Sequence, residues 1–156
     1  MIQEPYRQAL KGSLIVGFGL LGAFDGIIFH QLLQWHSVVM VPDRRLQIAS
    51  DGIFHALTTV ALVWGAVILW RSRELELAEG KATRLLWGGI LMGGGAFNLI
   101  EGIINHHLLQ IHHVKQGDPH ELMYDLLFLA SGALLLWLGW RMARPVMDEA
   151  VAVSQK

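Results

Sequence analysis

The sequence predicts an all-α integral membrane protein, a four-helix bundle made of two parallel helix-loop-helix repeats. Three observations predict it. First, the 156 residues are 53% hydrophobic and only 16% charged, against about 25% charged in soluble domains, and the mean hydropathy is +0.43. Second, four apolar stretches (about 13–33, 52–70, 85–109 and 122–140) each approach the roughly 20 residues a helix needs to cross ~30 Å of hydrocarbon. Third, the segment from Asp25 to Val38 returns without a gap from Glu101 to Val114, nine of fourteen positions being identical.

Residues 1–11 read as a short amphipathic lead-in with Pro5, and no cleavable signal peptide is expected, because this stretch is polar and no Ala-x-Ala site follows it. Helix one carries Gly12, Gly17, Gly19, Gly22 and Gly26; the Gly22-xxx-Gly26 spacing predicts a close helix approach. Asp25 is expected about 20 Å along the span, in its outer third. His30, Gln34, Trp35 and His36 follow at the exit, and His30 and Gln34 are expected on one helical face. Helix two is expected to open at Ser50-Asp51, after a loop with Pro42, Asp43, Arg44 and Arg45. Taken alone, Asp51 suits an N-cap better than a metal ligand; His55 lies one turn further on. The segment 71–84 alternates charge (Arg73, Glu74, Glu76, Glu79, Lys81) and reads as a solvated helix extension or linker.

Helix three echoes helix one: Gly88, Gly93 and Gly95 stand 76 positions after Gly12, Gly17 and Gly19, and Gly89-xxx-Gly93 offers a second packing surface. Asn98, Glu101 and Asn105 share a face, as do His106, Gln110 and His113. Asp118-Pro119 reads as the N-cap and first residue of helix four. That helix carries Asp125, 74 positions after Asp51, and runs to Trp137 and Trp140. The expected organisation is one transmembrane domain over 1–156, with one repeat at about 12–70 and the other at about 85–141. Nine basic residues fall on the side of the termini and the middle loop, three on the other. The positive-inside rule then puts both termini in the cytoplasm.

The chemistry gathers at the opposite side. Each helix supplies one acid, and most of the histidines lie nearby. Carboxylate plus imidazole suits zinc, iron or manganese, and helical bundles build such sites from inward-facing side chains. The candidate metal ligands are Asp25, His30, Asp51, His55, Glu101, His106, His107, Asp125, His112 and His113. Zinc is the leading ion, with iron or copper as alternatives; the absence of cysteine makes a soft Cu(I) site the poorer fit. His36, His112 and His113 read equally well as interfacial residues, and His120 as a solvated loop residue. The simpler reading of Asp25 or Glu101 is a neutral, hydrogen-bonded packing residue. One condition is geometric. Asp25 and His30, like Glu101 and His106, are five residues apart, about 140° round an ideal helix. Both point inward only if the helix loosens, for instance by a π-bulge at Gly26 and Gly102; otherwise the acid orients a ligand histidine.

Two other function classes fit the same residues. His30 and His106 on equivalent helices suit a bis-His haem, and intramembrane acids suit a proton- or cation-coupled transporter, although these polar groups stop in the outer half. The bilayer is the expected partner, along with a homo-oligomer; a net charge of -1 gives no reason to expect nucleic acid.

The motifs Phe-Asp-Gly-Ile-Ile-Phe-His-Gln-Leu-Leu-Gln-Trp-His (24–36), Asp-Gly-Ile-Phe-His-Ala (51–56) and Phe-Asn-Leu-Ile-Glu-Gly-Ile-Ile-Asn-His-His-Leu-Leu-Gln-Ile-His-His-Val (97–114) resemble a family of small bacterial four-helix membrane proteins catalogued as a domain of unknown function. The resemblance covers nearly the whole chain. It implies a bacterial inner-membrane protein, and respiratory oxidase assembly factors or copper handling as partners; it carries no activity and no catalytic residue.

Overall fold

A computed structural model describes residues 4–72 and 79–153. Four helices account for most of them. Helix α1 spans Glu4–Asp25 and continues as a π-helical turn, Gly26–Leu32. Helix α2 spans Arg44–Ser72. Helix α3 spans Glu79–Glu101 and also continues in a π-helical turn, Gly102–Leu108; α4 spans Glu121–Val153. Segments Tyr6–Leu32, Arg44–Ser72, Gly80–Leu108 and Glu121–Ala152 are each long and apolar enough to cross a membrane. The charge alternation at Arg73, Glu74 and Glu76 lies outside the described residues.

Four helix limits differ from the sequence expectation. The lead-in is part of α1 from Glu4 onward. Helix α2 starts at Arg44, not at Ser50, because Asp43 supplies the cap: its Oδ1 accepts the Arg45 N–H at 2.9 Å and its carbonyl accepts those of Leu46 and Gln47 at 3.1 and 3.2 Å. Asp51 is therefore inside the helix and is not its N-cap. Helix α4 runs through Pro145 to Val153, well past Trp140, and Glu149 in this extension pairs with Lys81 of α3. Asp118 and Pro119 are not the N-cap and first residue of this helix: the Asp118 carboxylate accepts the His120 N–H at 2.8 Å in the turn before it, and α4 opens at Glu121.

The bundle has two inner and two outer helices. Helices α1 and α3 pack on each other, α2 lies on α1, and α4 lies on α3. Glycines set the inner contact: a Cβ on Gly17 would sit 2.0 Å from the Ile90 carbonyl oxygen, and one on Gly93 2.0 Å from that of Leu14. Lipid tails are as apolar as leucine, so helices in a membrane associate by this kind of close backbone packing. The outer contacts follow the same pattern, with Gly19 against Thr58 and Leu62 of α2, and Gly95 against Gly132 and Leu136 of α4. Large apolar side chains such as Leu57, Val60 and Trp64 on α2 and Leu126, Leu127 and Leu134 on α4 are exposed, as a lipid-facing surface requires.

Candidate functional site

Asp25 and Glu101 each stand where α-helix gives way to π-helix. The wider turn is visible in the backbone: the Leu33 N–H donates to the Ile28 carbonyl and the Leu109 N–H to that of Ile104, both at 2.8 Å and both five residues back. This satisfies the geometric condition set by the sequence. His30 Nε2 comes within 3.3 Å of Asp25 Oδ2, and His106 Nε2 within 3.1 Å of Glu101 Oε1. Glycine permits the loosened turn to lie against the outer helices. A Cβ on Gly26 would be 2.7 Å from the His55 ring, and one on Gly102 2.8 Å from Leu129.

Each π-turn ends in a left-handed residue, Gln34 (φ 51°) and Gln110 (φ 49°). The chain doubles back there instead of continuing outward. The shared helical faces expected for His30 with Gln34, and for His106 with Gln110 and His113, therefore do not form, because both helices stop two residues short of the glutamines. The return buries His36 and His112, which retain only 3% and 2% of their exposure.

Two groups result. Asp25, His30 and His36 form one, Glu101, His106 and His112 the other; within each, one potential ligand atom per residue lies within 4.8 Å of the other two. The groups adjoin, for the His36 and His112 rings stack with centroids 4.5 Å apart and planes 7° from parallel.

The Nδ1 atoms of all four imidazoles face oxygen. His36 Nδ1 donates to the Val114 carbonyl at 2.8 Å and His112 Nδ1 to the Val38 carbonyl at 2.9 Å, so each half's histidine is fixed by the other half's loop. A carbonyl only accepts, which puts the proton on Nδ1 and leaves Nε2 as the free lone pair of the neutral ring. His30 Nδ1 lies 2.9 Å from Asp51 Oδ1, and His106 Nδ1 3.3 Å from Asp125 Oδ1. The same two aspartates accept the N–H groups of Val38 and Val114 at 2.8 and 2.9 Å. They brace both the histidine and the returning loop from behind.

The inner sides of the rings are less satisfied. His36 Nε2, Glu101 Oε2 and both ring nitrogens of His106 are buried without a hydrogen-bond partner among the described residues. The approaches of His106 to Glu101 and Asp125 are close but lack hydrogen-bond alignment. His112 Nε2 is 2.8 Å from Glu101 Oε1 although its proton is committed to Val38. Such contacts need a proton on the carboxyl group, a second ring proton, or a cation between the groups. Burial, reinforced by the neighbouring His112 and His30, pushes the pKa of His36, in the loop after the first span, down to about 3. Its ring is thus neutral with a lone pair to give.

The remaining candidates lie around these groups. His113 supports Asp125, Nδ1 to Oδ2 at 2.7 Å. His55 pairs with Gln31 at 2.9 Å, outside both groups. His107 is half-buried, its Nε2 without a hydrogen-bond partner among the described residues. His120 is exposed, as expected. His36 belongs to a group although its residue type alone left it ambiguous; the signal was its place 76 positions before His112.

No curated protein and no solved structure matches the chain. The model of the family described as Predicted membrane protein (DUF2243) matches residues 12–145. With that match over most of its length, and with four apolar spans, the chain belongs to this family of membrane proteins.

Proposed function

We propose that the protein is a membrane metalloprotein whose two buried triads, Asp25/His30/His36 and Glu101/His106/His112, each hold one transition-metal ion. The observation that carries this reading is the oxygen facing Nδ1 of every imidazole, hydrogen-bonded at three of the four. Metal-ligating histidines characteristically direct the second ring nitrogen to a carboxylate or backbone carbonyl, which fixes the tautomer and ring orientation; His30, His36 and His112 do so by hydrogen bonds, and His106 Nδ1 lies 3.3 Å from Asp125 without hydrogen-bond alignment. Charge supports the count of two. Asp25, Asp51, Glu101 and Asp125 are all buried, and intramembrane carboxylates need compensation; two divalent ions supply it without charging His36.

Two histidines and one carboxylate per ion suit zinc with an open fourth position, with iron(II) as the runner-up. An open position would serve metal-dependent chemistry as well as metal handling. The bis-His haem reading has less support, because the rings of His36 and His112 occupy the space between His30 and His106. The basic-residue asymmetry supports an orientation with both termini in the cytoplasm and the triads toward the outer face of a bacterial inner membrane.

Elemental analysis of the purified protein after zinc reconstitution tests this. About two ions per chain are expected for the wild type and about one for Glu101→Gln or His106→Ala. No stoichiometric metal in the wild type, or equal content in all three, overturns the proposal.

A further inference from the structure

A second feature lies on one side of this cluster. A cavity of about 260 Å³ opens between α1, α2 and α3 and is lined by Phe18, Phe54, Leu57, Ala61, Phe97 and Ile100, with Glu101 and Asn105 also contributing. Its mouth is on the lipid-facing surface, since Phe18, Leu57, Ile100 and Ile104 are 36, 64, 49 and 40% exposed. Phe97 is buried at 4% and forms the floor, with Phe18 edge-on to it at 5.3 Å and Phe54 at 6.1 Å. The polar lining of the cavity is Thr58, Asn105 and Glu101, of which Glu101 carries a charge-bearing group and is more than nine-tenths buried. Its Oε1 is approached by His106, His112 and Asn105, while Oε2 is buried without a hydrogen-bond partner among the described residues.

We propose that this cavity is a lateral, membrane-facing binding site for a lipid-soluble phenol, with the ring among the three phenylalanines and the hydroxyl donating to Glu101. Each part of that description follows from the lining. The mouth faces hydrocarbon, so the ligand arrives from the bilayer. The volume takes one or two rings, just below the range typical of drug-sized ligands. Aromatic walls favour an aromatic ring in edge or offset contact. A buried acceptor without a donor is costly, and a phenolic hydroxyl is a neutral donor that can cross lipid.

The opposite half lacks the same lining. At the matched positions Phe29 replaces Asn105, Leu135 replaces Ala61, and the shorter Asp25 replaces Glu101. The proposed site is therefore single, and it meets the triad of the carboxy-terminal half through Glu101. It does not depend on that triad holding a metal.

Photolabelling tests it. The protein in phosphatidylcholine nanodiscs, metal-free and zinc-loaded, is irradiated with a diazirine-bearing phenol, and labelled peptides are mapped by mass spectrometry. Label is expected to concentrate around 54–61 and 97–105 in both metal states. Leu57→Trp, an exposed position at the mouth, lowers it at least about tenfold, whereas Leu127→Trp on the lipid face of α4 leaves it unchanged. The same diazirine on a ring without the hydroxyl labels this region no more than it labels other lipid-facing segments. Uniform labelling of the lipid-facing helices, indifference to Leu57→Trp, or equal labelling by the two probes overturns the proposal. Because the metal-free arm stands alone, failure here is distinct from failure of the metal reading.

Discussion

The two halves of the molecule build the same frame and fill it differently. In both, a π-turn brings acid and histidine together, a left-handed glutamine reverses the chain, and an aspartate of the outer helix braces the result. The carboxylate, however, is one methylene longer in the second half. Glu101 reaches both His106 and His112, at 3.1 and 2.8 Å, whereas Asp25 approaches His30 alone, at 3.3 Å. His113 adds a further contact to Asp125, where the matched position in the first half is Ser37. The contrast separates architecture from chemistry. What the halves share holds the rings in place, and what they do not share leads the proposed metal reading to expect tighter binding in the carboxy-terminal half.

The largest expected effect breaks that contrast directly. Zinc titration should resolve a tight and a weaker step. Glu101→Gln should abolish the tight step, lowering its affinity by more than the 10–100-fold typical of an outer partner. Asp25→Asn should leave the tight step in place and weaken only the second. Calorimetric titration of the two variants decides it: equal losses at both steps would mean that the halves act as one symmetric site.

An intermediate effect concerns the bracing aspartates. Asp125 serves His106, Val114 and His113, whereas Asp51 serves His30 and Val38. Asn at either position retains the shape but loses the charge that orients the imidazole. Asp125→Asn is expected to cost about 10–100-fold in affinity at the tight step, and Asp51→Asn to act at the weaker one. If Asp51→Asn instead disturbs the tight step, the loops exchanged between halves couple the sites.

Much of this was legible in the residues, for identifiable reasons. Apolar runs of spanning length gave four helices, and the match of 25–38 with 101–114 paired Asp25 with Glu101 and His30 with His106. The five-residue spacing exposed a conflict with α-helical geometry that a π-turn at glycine resolves, and the structure has that turn. Two things were less accessible. The sequence places the start of α2 too late, because Asp43, only two residues after Val41, lies in a polar stretch where its capping role competes with an ordinary loop reading. The return of His36 and His112 depends on single left-handed residues, and glutamine carries no signal for that conformation. Helical extrapolation therefore put these histidines at an exposed exit, while the real chain folds them under.

Those glutamines give the smallest expected effect and a last probe of the contrast. A non-glycine residue in the left-handed region costs about 1–2 kcal/mol, partly offset if glycine replaces it because the unfolded chain gains freedom. Gln34→Gly and Gln110→Gly should each raise stability by about 0.5 kcal/mol, read as a modest rise in melting temperature of the metal-free protein in detergent. Both side chains are exposed, so little packing is lost. If the turns are equivalent parts of the frame, the two gains should agree. A destabilising result at Gln110 alone would place that side chain in the chemistry of the second half, and would move the boundary between shared frame and differing site outward by one turn.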